Sequence, residues 1–132
     1  MNISSTMINF SGLRTEDDDF RILRNLIIYG ICYEVTHRNL TKFNGVDMVK
    51  NWARGFLDKK GVDQYQFSGE HPYYRDVVEG VYRPLVDVGL IEEFENNNFV
   101  IPTNSTLRSI CSMELADGRR YIEWDEVNWD TD

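Results

Sequence analysis

Cysteine and histidine are both scarce in this chain, and each scarcity removes a class of function. The two cysteines, Cys32 and Cys111, sit in apolar segments and share no spacing of the metal-binding or redox kind, so they read as buried, reduced thiols. The only histidines, His37 and His71, lie far apart, and no pair stands at ligand spacing. Glu70-His71 with Asp63 is the nearest approach to a metal set, and a capping or exposed role for His71 is the simpler reading. There is no glycine-rich phosphate loop and no nucleophile elbow. The expectation is a non-enzymatic protein with no catalytic residues, no metal, no cofactor and no small-molecule substrate. Long apolar runs are missing too: nothing approaches the ~20 residues of a membrane span. Residues 1–12 lack the basic start and continuous apolar stretch of a secretory signal, so a cytoplasmic protein is expected.

Positive charge is the other shortage. Against 22 acids stand 14 bases, a formal charge of -8 with a pI near 4.7. That balance argues against a protein whose whole surface embraces nucleic acid. The excess sits at the ends. Four acids run from Glu16 to Asp19, and seven more lie between Glu114 and Asp132 against Arg119 and Arg120. From Phe20 to Met113 the acids and bases cancel, so the body is neutral and the ends are acidic.

What is present is a core. Hydrophobic residues at 42% and aromatics at 13%, over 132 residues, describe one folded domain. Residues 1–13 have apolar positions without helical spacing and form an expected extended arm. Thr15 is placed to cap a first helix over 16–38, with Glu16 to Asp19 favoured in its first turn by the helix dipole. The stretch Leu26 to Tyr33 is apolar all round, which suits a helix wrapped by others. Its β-branched residues and Gly30 leave a strand open as the alternative.

A short extended segment over 39–43 precedes a second helix. There Asn44 with Asp47 resembles a capping box, and Val49, Trp52, Ala53, Phe56 and Leu57 keep helical spacing up to Lys59-Lys60-Gly61. Its other face carries Asp47, Lys50, Asn51, Arg54 and Asp58. The connection from Gly61 to His71 is long and polar and holds two aromatics, Tyr65 and Phe67, which either fold back onto the core or belong to a binding surface.

A third helix begins at Pro72. Tyr74, Val77, Val78, Val81 and Leu85 form its buried stripe, and Tyr73, Arg75, Asp76, Glu79 and Arg83 face outward or lie on the borders. Pro84 predicts a kink or an end at Arg83. Then come Val88-Gly89-Leu90-Ile91, a strand carrying Glu92, Glu93 and Glu95, a turn of Asn96-Asn97-Asn98, and a strand with Phe99, Val100 and Ile101. Ser105 can cap a last helix with Leu107, Ile110, Cys111 and Leu115 on one face, ended by Gly118. Beyond it Tyr121, Ile122, Trp124, Val127 and Trp129 lie among acids, as an added strand or as an acidic, aromatic tail.

Helix, Gly-Leu-Ile, short strand, polar turn and second strand together resemble the second half of a winged-helix (winged helix-turn-helix) domain. The resemblance implies a mainly α fold with a small β-hairpin, an α+β class with three to four helices plus a wing. Residues 1–14 would form the arm, 15–118 the body and 119–132 the acidic tail, all in one domain.

Winged helices bind DNA, bind proteins or hold subunits together, so the charges decide. The first reading is docking to a protein partner, or self-association, as a small subunit of a nucleic-acid-related complex, with Tyr65, Phe67, Trp124 and Trp129 as contacts. In the second, a transcription regulator reads DNA through the helix near 72–83, aided by Lys50, Arg54, Lys59, Lys60, Arg75 and Arg83. These six bases are diluted by Asp47, Asp58, Asp76 and Glu79, and the three glutamates of the wing would repel phosphate. A third reading makes the acidic ends a mimic of nucleic acid that blocks a basic groove.

Overall fold

The apolar stretch that sequence alone left between helix and strand is helix. A computed structural model describes residues 8–9, 18–117 and 122–123, with side-chain surroundings for 19–112. In it α1 runs Asp18–Arg38. Leu23, Ile27, Ile28, Ile31, Cys32 and Val35 are buried, while Tyr29 keeps 40% of its surface exposed, so α1 is wrapped on most sides but not all. It packs on α6 (Leu107–Asp117), on α2 (Gly45–Trp52) and on the helix that begins at Pro72. The proposed Thr15 cap, Glu16 and Asp17 lie outside the described residues, as do Gly118 and the side chains of Asp18 and Leu115.

Between α1 and α2 lies β2 (Lys42–Asn44). Asn44 ends the strand and caps the helix: its Oδ1 accepts from the amides of Val46 at 3.0 Å and Asp47 at 3.1 Å, two of the donors that a helix start leaves unmatched. The expected second helix is bent into two. Ala53 leaves helical geometry at φ −123°, ψ 26°, dividing α2 from α3 (Arg54–Lys59), while Ala53 N to Val49 O and Leu57 N to Ala53 O carry the ladder across. Gly61 at φ 73° closes α3. Val62 N reaches back to Leu57 O and Gly61 N to Asp58 O, the paired bonds of a left-handed helix ending.

The helix starting at Pro72 does not end at Arg83. It is a composite: α4 (Pro72–Val77), a π turn (Val78–Tyr82) and α5 (Arg83–Asp87). The amide of Arg83 bonds five residues back to Val78 O, and the widened turn makes room for the Pro84 ring, which would otherwise meet the carbonyl four residues earlier. The extra residue also shifts the buried stripe, so that Val81 and Tyr82 are both fully buried. His71 caps the composite helix, its Nδ1 accepting from Tyr73 N at 3.1 Å. At the other end Gly89 (φ 82°) repeats the ending of α3, with Leu90 N bonded to Leu85 O and Gly89 N to Val86 O.

β3 (Glu92–Glu95) and β4 (Asn98–Val100) then form the hairpin, and β2 adds on the far side of β4 to give an antiparallel sheet of order β2-β4-β3. Asn97, at φ 66°, turns the hairpin, and Asn98 already belongs to β4. Below the sheet the rings of Phe43, Tyr82 and Phe99 lie 4.8 to 5.7 Å apart, with Tyr74 next to Tyr82 at 6.1 Å. This aromatic layer holds the hairpin onto the helices. Ser105 takes its expected place before α6, accepting from Leu107 N and donating to Leu90 O at 2.8 Å. β1 (Ile8–Asn9) pairs in parallel with β5 (Ile122–Glu123), so the segment after α6 meets the arm rather than the three-stranded sheet. The described chain is thus mostly helical with a small antiparallel sheet. No described helix is long and apolar enough to cross a membrane.

Candidate functional site

The composite helix and the hairpin beside it carry more acidic than basic side chains. The helix contributes Arg75 and Arg83 against Asp76, Glu79 and Asp87, and the hairpin adds Glu92, Glu93 and Glu95. Arg75, Glu79, Arg83, Asp87 and all three glutamates are exposed. β3 is one of the two edge strands of its sheet, and all four of its residues are exposed. The register separates its side chains. Glu93 pairs with Phe99, which puts the carboxylate on the face that looks toward the helix. A bulge between Glu93 and Glu95 leaves Phe94 out of the ladder, with 53% of its surface exposed.

Between helix and hairpin lies a groove. Its deeper part is a pocket of about 170 Å³ walled by Val78, Tyr82, Val86 and Phe99, with Arg83, Asp87, Glu93 and Asn97 at its rim. Glu93 and Asn97 also border a wider depression of about 530 Å³ that extends to Ser68, Gly69 and Glu70 in the loop before α4. The two hollows adjoin at Glu93 and Asn97.

Under the groove, burial sets the chemistry of two phenols. Tyr82 is fully buried and donates to Gly45 O at 2.8 Å. Burial, and secondarily Tyr74, pushes its pKa well above the ordinary tyrosine value. Tyr74 is raised as well, by burial first and by the charge of Glu93 second. The Tyr74 hydroxyl is buried with no hydrogen-bond partner among the described residues.

The expected contact aromatics separate. Tyr65 is 86% exposed, held on its loop by a bond from its amide to Asp63 Oδ1 at 2.9 Å. Phe67 is 2% exposed and joins the core against Tyr74 and His71, so it is corrected from surface contact to core residue. The reason is local: the turn over 63–67, with Phe67 N bonded to Asp63 O, directs alternate aromatics in opposite directions. Trp124 and Trp129 lie outside the described residues.

The six bases of the DNA reading are spread over α2, α3 and the composite helix. Lys50, Arg54, Lys59 and Lys60 belong to α2, α3 and the end of α3, and Arg75 and Arg83 to the composite helix. Lys60 forms an ion pair with Asp19 at 2.6 Å and lies over the Phe56 ring, and Arg54 donates to Gln64 at 2.7 Å. Asp63 closes a loop turn on the Tyr65 amide and His71 caps the composite helix, and among the described residues no group of three or more His, Cys, Asp or Glu is arranged to hold a metal.

Two features escaped the sequence reading. Phe94 was legible: in a strand reading Glu-Glu-Phe-Glu, period-two alternation places it opposite Glu93 and Glu95. The groove was not, because its walls come from the π turn, α5 and β4. A second surface feature is a cluster of rings on α1 and α2, in which Tyr33 lies 4.5 Å from His37 and 5.3 Å from Trp52. Trp52 Nε1 donates to Glu34 Oε2 at 3.1 Å, and Glu34 also pairs with Arg38. Comparison with known proteins finds no matching family model, no matching curated protein and no matching solved structure.

Proposed function

We propose that this chain is a non-enzymatic docking module, built on a winged-helix-like body, whose composite helix and wing meet a basic surface on a partner protein. The order of helix, strand, paired helices, composite helix and hairpin, with β2 closing the sheet beside β4, supports the winged-helix reading. In that architecture the composite helix would be the one that enters a DNA groove.

The observation that carries the proposal is the charge on that face. Over the composite helix and the two sides of the hairpin, Asp76, Glu79, Asp87, Glu92, Glu93 and Glu95 stand against Arg75 and Arg83. A protein that grips phosphates gains affinity by releasing counterions with each lysine or arginine contact, and this face offers the opposite sign. The same carboxylates steer a basic protein toward it. Phe94 supplies an exposed aromatic beside them, the residue type enriched where interfaces bury their contacts. Pairing of this face with the same face of a second copy is disfavoured, since like charges would oppose one another.

The test compares two labelled probes at low ionic strength by fluorescence anisotropy, an oligolysine and a random-sequence DNA duplex. The oligolysine should bind saturably and release with salt, and the duplex should not bind at micromolar protein. Duplex binding that Arg75→Glu abolishes would restore the DNA reading and overturn this one.

A further inference from the structure

We infer that the groove between the composite helix and the wing is a lysine-binding channel, which takes an extended, lysine-bearing segment of the partner with one lysine side chain seated in its deeper pocket. The inference rests on the docking reading and makes it specific to one site.

The pocket matches both ends of a lysine side chain. Val78, Tyr82, Val86 and Phe99 wall it with apolar surface suited to a four-carbon stem. The stem would lie along this wall and keep its ammonium at the rim, beside Asp87 and Glu93 of the same pocket. Tyr82 cannot offer its hydroxyl proton to a ligand, because that proton is committed to Gly45 O. The channel therefore presents hydrocarbon below and carboxylate above.

Charge complementarity selects the occupant. Across both hollows the rim carries Glu70, Asp87 and Glu93 against the single base Arg83. None of these four makes an ion pair among the described residues, and Glu93 is engaged only by the Asn97 amide at 3.4 Å. A carboxylate-bearing ligand would meet three like charges, whereas a cation meets one. The wide, open part of the channel suits chain on either side of the seated residue, with Glu70 placed for a second basic side chain. The π turn contributes Val78 and Tyr82 to the pocket wall, so the departure from regular helix that accommodates Pro84 also shapes the site.

The experiment is an amide NMR titration of the full chain at low ionic strength. Its probes are a short capped peptide carrying two lysines and the same peptide with both lysines acetylated. The lysine peptide should shift the amides of Val78, Val86, Asn97 and Phe99 saturably, and the acetylated peptide should not. Glu93→Gln and Asp87→Asn should each weaken binding by up to about fivefold, the range of an exposed charge pair. Arg83→Ala should tighten it, a gain that damage to the fold could not produce. Lysine-dependent shifts confined to Phe94, Glu92 and Glu79 would overturn the channel and leave the acidic docking face standing. Absence of binding anywhere would sink both, and equal binding of the acetylated peptide would overturn the role of the ammonium.

Discussion

Replacing Gly45 by alanine should cost the fold about 3 kcal/mol, the upper range for overpacking a closed interior, although alanine is the better helix former. Gly45 opens α2 beneath the hairpin. A Cβ there would overlap the Tyr74 hydroxyl and stand 2.8 Å from Tyr82 Cε2 and 3.0 Å from Phe99 Cε2. None of the three rings can step aside, because each is at most 3% exposed and touches the next. The same residue is tied down through its backbone. Its amide donates to Asn97 O at 2.6 Å, its carbonyl accepts from Tyr82, and its neighbour Asn44 donates to Asn98 Oδ1 at 3.0 Å. Displacing Gly45 therefore moves the hairpin and the groove as well as α2. Urea unfolding followed by circular dichroism gives the loss directly, and an unchanged midpoint would mean that the aromatic layer is looser than described.

The second large effect is alkaline. Tyr74 and Tyr82 both have raised pKa values in the folded chain, while in the unfolded chain each titrates near the ordinary ~10. Below that value both states hold both protons and stability is complete. Above it the unfolded chain loses protons that the folded chain retains, so stability falls as pH rises. Each phenol costs about 1.4 kcal/mol per pH unit, or ~2.7 kcal/mol per unit for the two together.

Single substitutions separate the two phenols. Tyr82→Phe leaves the Gly45 carbonyl without its buried donor and should lose ~1–2 kcal/mol at neutral pH. Tyr74→Phe removes a buried hydroxyl that has no partner among the described residues, so it should leave neutral stability unchanged or raised. Both should roughly halve the alkaline slope. Urea midpoints at a series of pH values test this, and a wild-type midpoint that stays level from about pH 9 to about pH 11 would contradict it.

Much of the architecture was legible in the residues because local signals agreed with one another. Asn44 caps, Gly61 and Gly89 stop, Ser105 restarts, and the asparagine turn closes the hairpin, each through backbone groups a few residues away. What escaped depends on partners distant in sequence or on a change of helical period. The stripe Tyr74, Val77, Val78, Val81, Leu85 assumes 3.6 residues per turn throughout, and the π turn breaks that count, which hid Tyr82. Pro84 marked the site of the irregularity, as a kink or an end, but not its form as a widened turn.

Phe67 lies in a loop without periodicity, so nothing in its neighbours showed its direction. Arg24 is fully buried with its guanidinium carbon 5.6 Å from the Phe20 ring centre, and no residue type around it in sequence announces a charged group in the interior. The candidate site was half legible. The acidic wing could be counted from Glu92, Glu93 and Glu95, but only the pairing of Glu93 with Phe99 separates the glutamate over the groove from those facing away.

The docking reading is tested most directly by moving charge on one face at a time. Glu92→Lys with Glu95→Lys alters the exposed wing, and Asp47→Lys with Asp58→Lys makes the same charge change on the exposed side of α2 and α3. If the helix and wing face receives the basic partner, the wing variant should bind oligolysine about tenfold more weakly, while the α2 and α3 variant should change by no more than about twofold. Equal losses from the two variants would show that net acidity alone attracts the probe, and would contradict a docking site on this face.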